Sequence, residues 1–297
     1  MIRVGPAGWE YSDWAGRVYP DPPPPRFDRL AYLSCYFNTI EVNSTFYRPF
    51  PQDVAARWAE RVEDRADFRF GVKLWRRFTH EREAAWTAED VKAARAVPDR
   101  LAREGRLGAA LLQFPWSFKR SDADEEWLRG LFRAFTGLPL VVEVRHASWD
   151  APDFLAELAD EGVGFVNVDQ PLFRRSIRPS AVTTSPVGYI RVHGRNWKDW
   201  FRKGAGRDAR YDYLYTAAEL TPWAQRAKAM SASRASPNAA DVPSYVPEIF
   251  VVTNNHFQGK AVANAAMLES MIEDRKVEVP PELRRTYEDA LRAFTKP

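Results

Sequence analysis

Short apolar runs, several with a polar residue at every second position, recur along the chain and are separated by longer stretches of different spacing. The runs are IRVGPAG (2–8), NTIEV (38–42), FRFGVKL (68–74), AALLQF (109–114), LVVEVR (140–145), GFVNVD (164–169), GYIRVHG (188–194) and EIFVVTN (248–254). They read as eight strands. Between them, FDRLAYLSCYF, ADEEWLRGLFRAF and APDFLAELADEG place apolar residues three and four apart, as an amphipathic helix does. DVAARWAERV, AEDVKAARAVPDRLARE, AAELTPWAQRAKAM and AVANAAMLESMIED occupy the remaining intervals, except that QPLFRRSIRPSAVTTSP, after the sixth strand, carries little helical signal. Strands alternating with helices imply parallel pairing, because parallel neighbours need long crossovers. The pattern predicts one (β/α)8 TIM barrel over residues 1–297, with a long loop after the seventh strand and an extra C-terminal helix.

An open, doubly wound sheet would bury both faces of its central strands and make them continuously apolar. These strands alternate instead. Ile40, Val42, Phe70, Val72, Leu112, Val142, Val144, Val166, Val168, Ile190 and Val192 are assigned to the helix-facing side. The predicted inward set is Glu41, Lys73, Gln113, Glu143, Arg145, Asn167, Asp169, Arg191 and His193, with Asn254 or Asn255 from the last strand. These residues fall in the C-terminal halves of their strands, the end at which such barrels hold their chemistry.

Composition narrows the class. With 45% hydrophobic and 28% charged residues the chain is a globular one, and no apolar run approaches the ~20 residues of a membrane span. MIRVGPAG begins as a strand and lacks the features of a secretory leader, so a cytoplasmic location is expected. The single cysteine, Cys35, cannot form an internal disulfide and is expected as a buried, inert thiol. A net charge of +3 falls short of a nucleic-acid-binding surface by itself. Residues 194–216 form a basic and aromatic loop, and residues 231–245, small and polar, read as a flexible linker before the eighth strand.

GPAGWEYSDWAGRVYP, FNTIEVNSTFYRPFP, FRFGVKLWRRFTHE, LGAALLQFPWSF, VVEVRHASW, FVNVDQP, YIRVHGRN and VVTNNHFQGKAVANA together resemble the domain of unknown function 72 family, also called YecE-like. The motifs stand in the family's order and cover essentially the whole chain. The resemblance implies a TIM-barrel-like fold and no particular activity, since a fold does not carry a function with it.

Charges inside a barrel must be paired, so the inward carboxylates and cations are expected to form a network that either plugs the barrel or frames a pocket. The reading taken forward is a pocket for a small anionic ligand, phosphorylated or sugar-like. Glu41, Glu143, Asp169 and His193 are the acid/base candidates. Trp9, Tyr47, Lys73, Gln113, Arg145, Arg191, Arg195 and Asn255 are the substrate-binding candidates. Two other readings stand beside it. Glu41, Glu143, Asp169 and His193 could hold a divalent metal for an isomerase or hydrolase. Alternatively, Trp197, Trp200, Arg202, Lys203, Arg207 and Arg210 could give the 194–216 loop a nucleic-acid or protein partner. No P-loop, Rossmann glycine pattern, zinc spacing or HExxH motif is present, so no nucleotide cofactor is expected.

Overall fold

In the computed structural model, which describes residues 1–200, 202, 207–232 and 247–297, every predicted strand forms. They are β1 (Ile2–Pro6), β2 (Thr39–Val42), β3 (Arg69–Lys73), β4 (Leu107–Gln113), β5 (Leu140–Glu143), β6 (Gly164–Asp169), β7 (Val187–Val192) and β8 (Glu248–Thr253). All are parallel in the order β1-β8-β7-β6-β5-β4-β3-β2. The two ends of that order meet through a bridge between Ala7 and Glu41, where Gly8 N–H donates to Glu41 O at 2.8 Å. Closure brings β1 so close to β2 that a Cβ on Gly5 would lie 1.8 Å from Thr39 O.

The helices are α1 (Arg29–Ser34), α2 (Gln52–Glu60), α3 (Ala88–Arg103), α4 (Asp122–Ala134), α5 (Pro152–Asp160), α6 (Arg207–Tyr211), α7 (Ala217–Ala232), α8 (Lys260–Glu273), α9 (Pro281–Thr286) and α10 (Glu288–Leu291). Their starts are read easily in the sequence. Thr87 and Asp90 form a reciprocal capping box at α3, and the side chains of Asp28 and Ser121 cap α1 and α4. The interval after β6 holds no helix, as its composition predicts. α9 and α10 supply the extra C-terminal helical turns. Residues 231 and 232 of the expected linker end α7, and 233–246 lie outside the described residues. Among the described residues no helix is long and apolar enough to cross a membrane.

Two apolar layers result. Val4, Ile40, Phe70, Val142, Val144 and Ile190 pack outward against the helices. A smaller interior cluster of Ala7, Ala109, Leu111, Val141, Val166, Val168, Tyr189, Phe250 and Val252 fills the barrel. Val166 and Val168 belong to this interior, which reverses the face assigned to β6. Pairing registers Val168 with Arg191, and Asp169 with Val192, so Asn167 and Asp169 point outward. The missing helix after β6 explains the reversal. A loop covers that side, and its backbone needs polar partners that a helix would not. Asn167 supplies them. Its Nδ2 donates to Val182 O (2.8 Å) and Tyr189 O (3.2 Å), while its Oδ1 accepts from Ser180 Oγ (2.7 Å) and Val182 N (2.8 Å). Asn167→Ala is therefore expected to destabilise the protein by about 2 kcal/mol, since it strands partly buried backbone groups. A denaturant titration checks this.

Cys35 also departs from expectation. It is exposed, because α1 buries Leu30, Leu33 and Ser34 and turns the thiol to solvent.

Candidate functional site

Above the interior apolar cluster the barrel carries a charged layer. Arg191, fully buried on β7, donates to Glu143 Oε2 at 2.5 Å and to Glu41 Oε1 at 2.6 Å. Tyr189 O–H donates to the other Glu41 oxygen at 2.9 Å. Room for that ring comes from Gly71, where a Cβ would meet the Tyr189 hydroxyl at 2.6 Å. Arg145 Nε donates to Glu143 Oε1 at 2.8 Å, and His193 Nε2 lies 3.1 Å from the same oxygen. Every oxygen of the two carboxylates is thus engaged.

Burial alone would raise the Glu143 carboxyl, but Arg191, then His193 and Arg145, outweigh it and hold it well below the usual carboxylate range. Burial pushes His193 down to about 3, so its imidazole is neutral near pH 7. Asn254 Nδ2 stands 3.0 Å from His193 Nδ1. Arg145 Nη2 lies 3.2 Å from His193 Nε2 as well; a proton on Nε2 suits the contacts to Glu143 and Asn254, and one on Nδ1 the contact to Arg145.

A cavity of about 250 Å³ opens over this layer at the C-terminal end of the barrel. Lys73, Asn43, Asn254, Ser44, His256 and Glu10, whose carboxylate pairs with Arg29, supply its polar groups, and Trp9, Tyr11, Phe46, Tyr47 and Tyr211 its rings. Lys73 Nζ donates to Gln113 Oε1 at 2.7 Å and sits 3.8 Å from the centroid of Phe46. Among the described residues no carboxylate forms an ion pair with it, since Glu41 and Glu143 are taken by the arginines. Burial, then the charge of Arg191, lowers the Lys73 amine from 10.5 to about 7, although Glu143 and Glu41 pull it back. Asn43 Nδ2 donates to Asn254 Oδ1 at 3.3 Å. His256 stacks on Tyr11 at 4.6 Å.

The lysine leaves a signature in stability. Its folded value lies below its unfolded one, so protonation opposes folding. That cost is complete below about pH 7 and gone above about 10.5, and stability from this group rises with pH between the two. Lys73→Met is expected to be more stable than the wild type at pH 6, by on the order of a few kcal/mol, with the gap closing toward pH 10. Chemical denaturation across that range measures it.

Of the residues named from the sequence, Trp9, Tyr47 and Lys73 line the cavity. Gln113 holds Lys73 from beside it, and Glu41, Glu143, Arg145, Arg191 and His193 form the layer beneath. Three residues lie elsewhere. Asp169 accepts from Arg195 Nη2 (2.7 Å) and Trp223 Nε1 (2.5 Å) outside the barrel. Arg195 follows it there because Gly194, at φ 92°, turns the chain and ends the alternation of β7. Asn255 donates to Tyr213 O (2.7 Å) and Asn264 Oδ1 (2.8 Å), and its neighbour Asn254 lines the cavity instead. Of the four residues named as metal ligands, Asp169 thus lies apart from Glu41, Glu143 and His193, and among the described residues no group of three His, Cys, Asp or Glu is placed to hold a metal.

Sequence reasoning missed Tyr211, and His256 as a wall. Their elements bring them in from α6 and from beyond β8, where strand periodicity says nothing. In the 194–216 loop, Arg202 is exposed and pairs with Asp199 at 2.8 Å. Lys203 and the Arg207 side chain lie outside the description.

Comparison with known proteins agrees with this architecture. The family model described as "Protein of unknown function DUF72" matches residues 3–287. UPF0759 protein YunF of Bacillus subtilis (strain 168) is 24% identical over 286 residues, 92% of this chain and 95% of that protein. UPF0759 protein YecE of Escherichia coli (strain K12) is 26% identical over 68% of this chain and 66% of its own. The crystal structure of a DUF72 family protein from Thermotoga maritima MSB8 superposes with a TM-score of 0.76 at 31% identity, covering 92% of this chain and 99% of that one. One from Enterococcus faecalis V583 gives 0.75 at 23% identity, over 92% and 96%.

Proposed function

The chain belongs to the DUF72 family of proteins of unknown function, and from that premise we propose that it is a barrel enzyme acting on a small anionic, sugar-like substrate. The observation that carries this reading is Lys73. The two buried carboxylates are matched by Arg191 and Arg145, which leaves the lysine as the surplus cation, and it faces the cavity. An anion there supplies the missing counter-charge and raises the lysine toward its protonated form. The ring-lined walls suit the apolar faces of a sugar, while Asn43, Ser44 and Asn254 suit its hydroxyls. Acid/base work falls to Lys73, whose amine titrates near neutral pH, rather than to Glu143 or His193, which are locked in the layer below.

The test is thermal denaturation with a panel of sugar phosphates, sugar acids and neutral sugars. A ligand at a hundredfold excess over its Kd stabilises by about 2.7 kcal/mol. Charged members are expected to raise the melting temperature of the wild type but not of Lys73→Gln. Equal shifts from neutral sugars, or shifts that survive in Lys73→Gln, would overturn the reading.

A further inference from the structure

We propose that Lys73 is a nucleophile whose amine condenses with the carbonyl carbon of a hydroxylated, anionic aldehyde or ketone bound in the mouth cavity. The inference rests on the anion-binding reading and narrows it to a substrate class. Four observations carry it, and the first is position. The amine stands at the end of β3, in a cavity of about 250 Å³, under the ~300–1,000 Å³ usual for drug-sized ligands. That suits a small sugar-sized molecule rather than a polymer.

The second observation is that among the described residues no carboxylate pairs directly with the amine. Its hydrogen-bond partner is a neutral amide oxygen, that of Gln113, and the charges of Arg191 and Arg145 oppose a third cation. With the amine lowered to about 7 in the empty cavity, part of the lysine is free amine when the ligand arrives, and condensation makes it the cationic iminium that then pairs with the ligand's anionic group. The third is the Phe46 ring 3.8 Å from Nζ, whose face stabilises the cationic iminium that condensation produces.

The fourth is a pair of polar atoms that lack protein partners. Trp9 is only 6% exposed and its indole Nε1–H is a buried donor with nothing to bond; Asn43 Oδ1 is a buried acceptor in the same condition. Both residues line this cavity. Leaving such groups unpaired costs about 1–3 kcal/mol each. A donor and an acceptor of this kind suit the hydroxyls of a ligand that draws the two side chains toward it.

The step balances without a further reagent. The Nζ lone pair forms the C–N bond as the carbonyl π pair moves to oxygen, and one amine proton passes to that oxygen. The hydroxyl then leaves as water with the second amine proton, and one solvent proton converts the imine to the iminium. The iminium draws electrons from the neighbouring carbon, which is the chemistry of proton abstraction or carbon–carbon cleavage beside a carbonyl.

The test treats the full-length protein with sodium borohydride in the presence of dihydroxyacetone phosphate or hydroxypyruvate, followed by peptide mass analysis. Glycerol 3-phosphate, which has no carbonyl, serves as the binding control in thermal denaturation. The expected result is a reduced adduct on the Lys73 peptide with at least one probe, diminished by excess glycerol 3-phosphate. The adduct is lost in Lys73→Arg, whose cooperative melting without ligand shows that it is folded. A thermal shift with no adduct from either probe overturns the imine while leaving the anion site standing. Adducts spread over surface lysines and unchanged in Lys73→Arg overturn it as well. No shift and no adduct with any of the three removes both readings.

Discussion

Replacing Arg191 by methionine is expected to cost about 3–5 kcal/mol of folding stability, a large part of the 5–15 kcal/mol typical of a folded protein. The guanidinium holds one oxygen of Glu143 and one of Glu41, and all three side chains are at most 1% exposed. Methionine fills the volume but leaves Glu41 with only Tyr189, and Glu143 with only Arg145 and His193. The loss reports an uncompensated buried charge rather than the worth of the ion pair, so a second variant separates the two. Adding Glu41→Gln to Arg191→Met is expected to recover part of the deficit.

The acid limb changes too. In the wild type the depressed Glu143 carboxyl contributes stability that is complete above about 4.5 and is lost as the pH falls toward its lower folded value. Without Arg191 burial is opposed less, the folded value rises, and that slope flattens. Denaturant midpoints measured from pH 3 to pH 7 read both effects.

Gly5→Ala is expected to cost more than ~3 kcal/mol, beyond the usual range for an added methyl group, or to prevent folding. The new Cβ would stand 1.8 Å from Thr39 O and 2.8 Å from Thr39 C. These are backbone atoms of the neighbouring strand, so no side-chain rotation relieves the clash. The seam has to open. Gly130→Ala is the contrast, on α4, where the nearest atoms to an added Cβ are Trp86 Cζ2 at 3.5 Å and Arg133 Nη2 at 4.0 Å. There alanine fits and relieves the cost of glycine in a helix, a gain of roughly 0.5–1 kcal/mol. Opposite signs for one substitution, read as melting temperatures, test the closure geometry.

The barrel was legible because its strands and helices differ in apolar period, and because the interval after β6 lacked a helical signal. That same interval misled the site assignment. The rule that polar residues on a strand face inward assumes a helix on the outside, and β6 has a loop there that claims Asn167. Asn254 was named beside Asn255 for the inward set, and the alternation of β8 decides between them. Phe250 and Val252 fill the interior, and continuing their alternation by two residues gives Asn254, not Asn255. Arg195 was beyond reach by this route, since Gly194 turns the chain after β7. The division between a closed charged layer and an open cavity above it was not legible either. It depends on which carboxylate each arginine reaches across the barrel, and period-two patterning has no information about that.

Seven neighbouring strand pairs share ladders, whereas β1 and β2 meet through the Ala7–Glu41 bridge. Trp9 and Asn43, the two cavity residues with unpartnered polar atoms, are the ones that continue these two strands past the bridge. A ligand that engaged both residues would stitch the seam from above. Native-state amide exchange should register this: Gly8, whose N–H closes the barrel onto Glu41, would exchange by local opening and slow when the cavity is filled. The ring's own closure then becomes a gauge of occupancy, readable before any reaction is known.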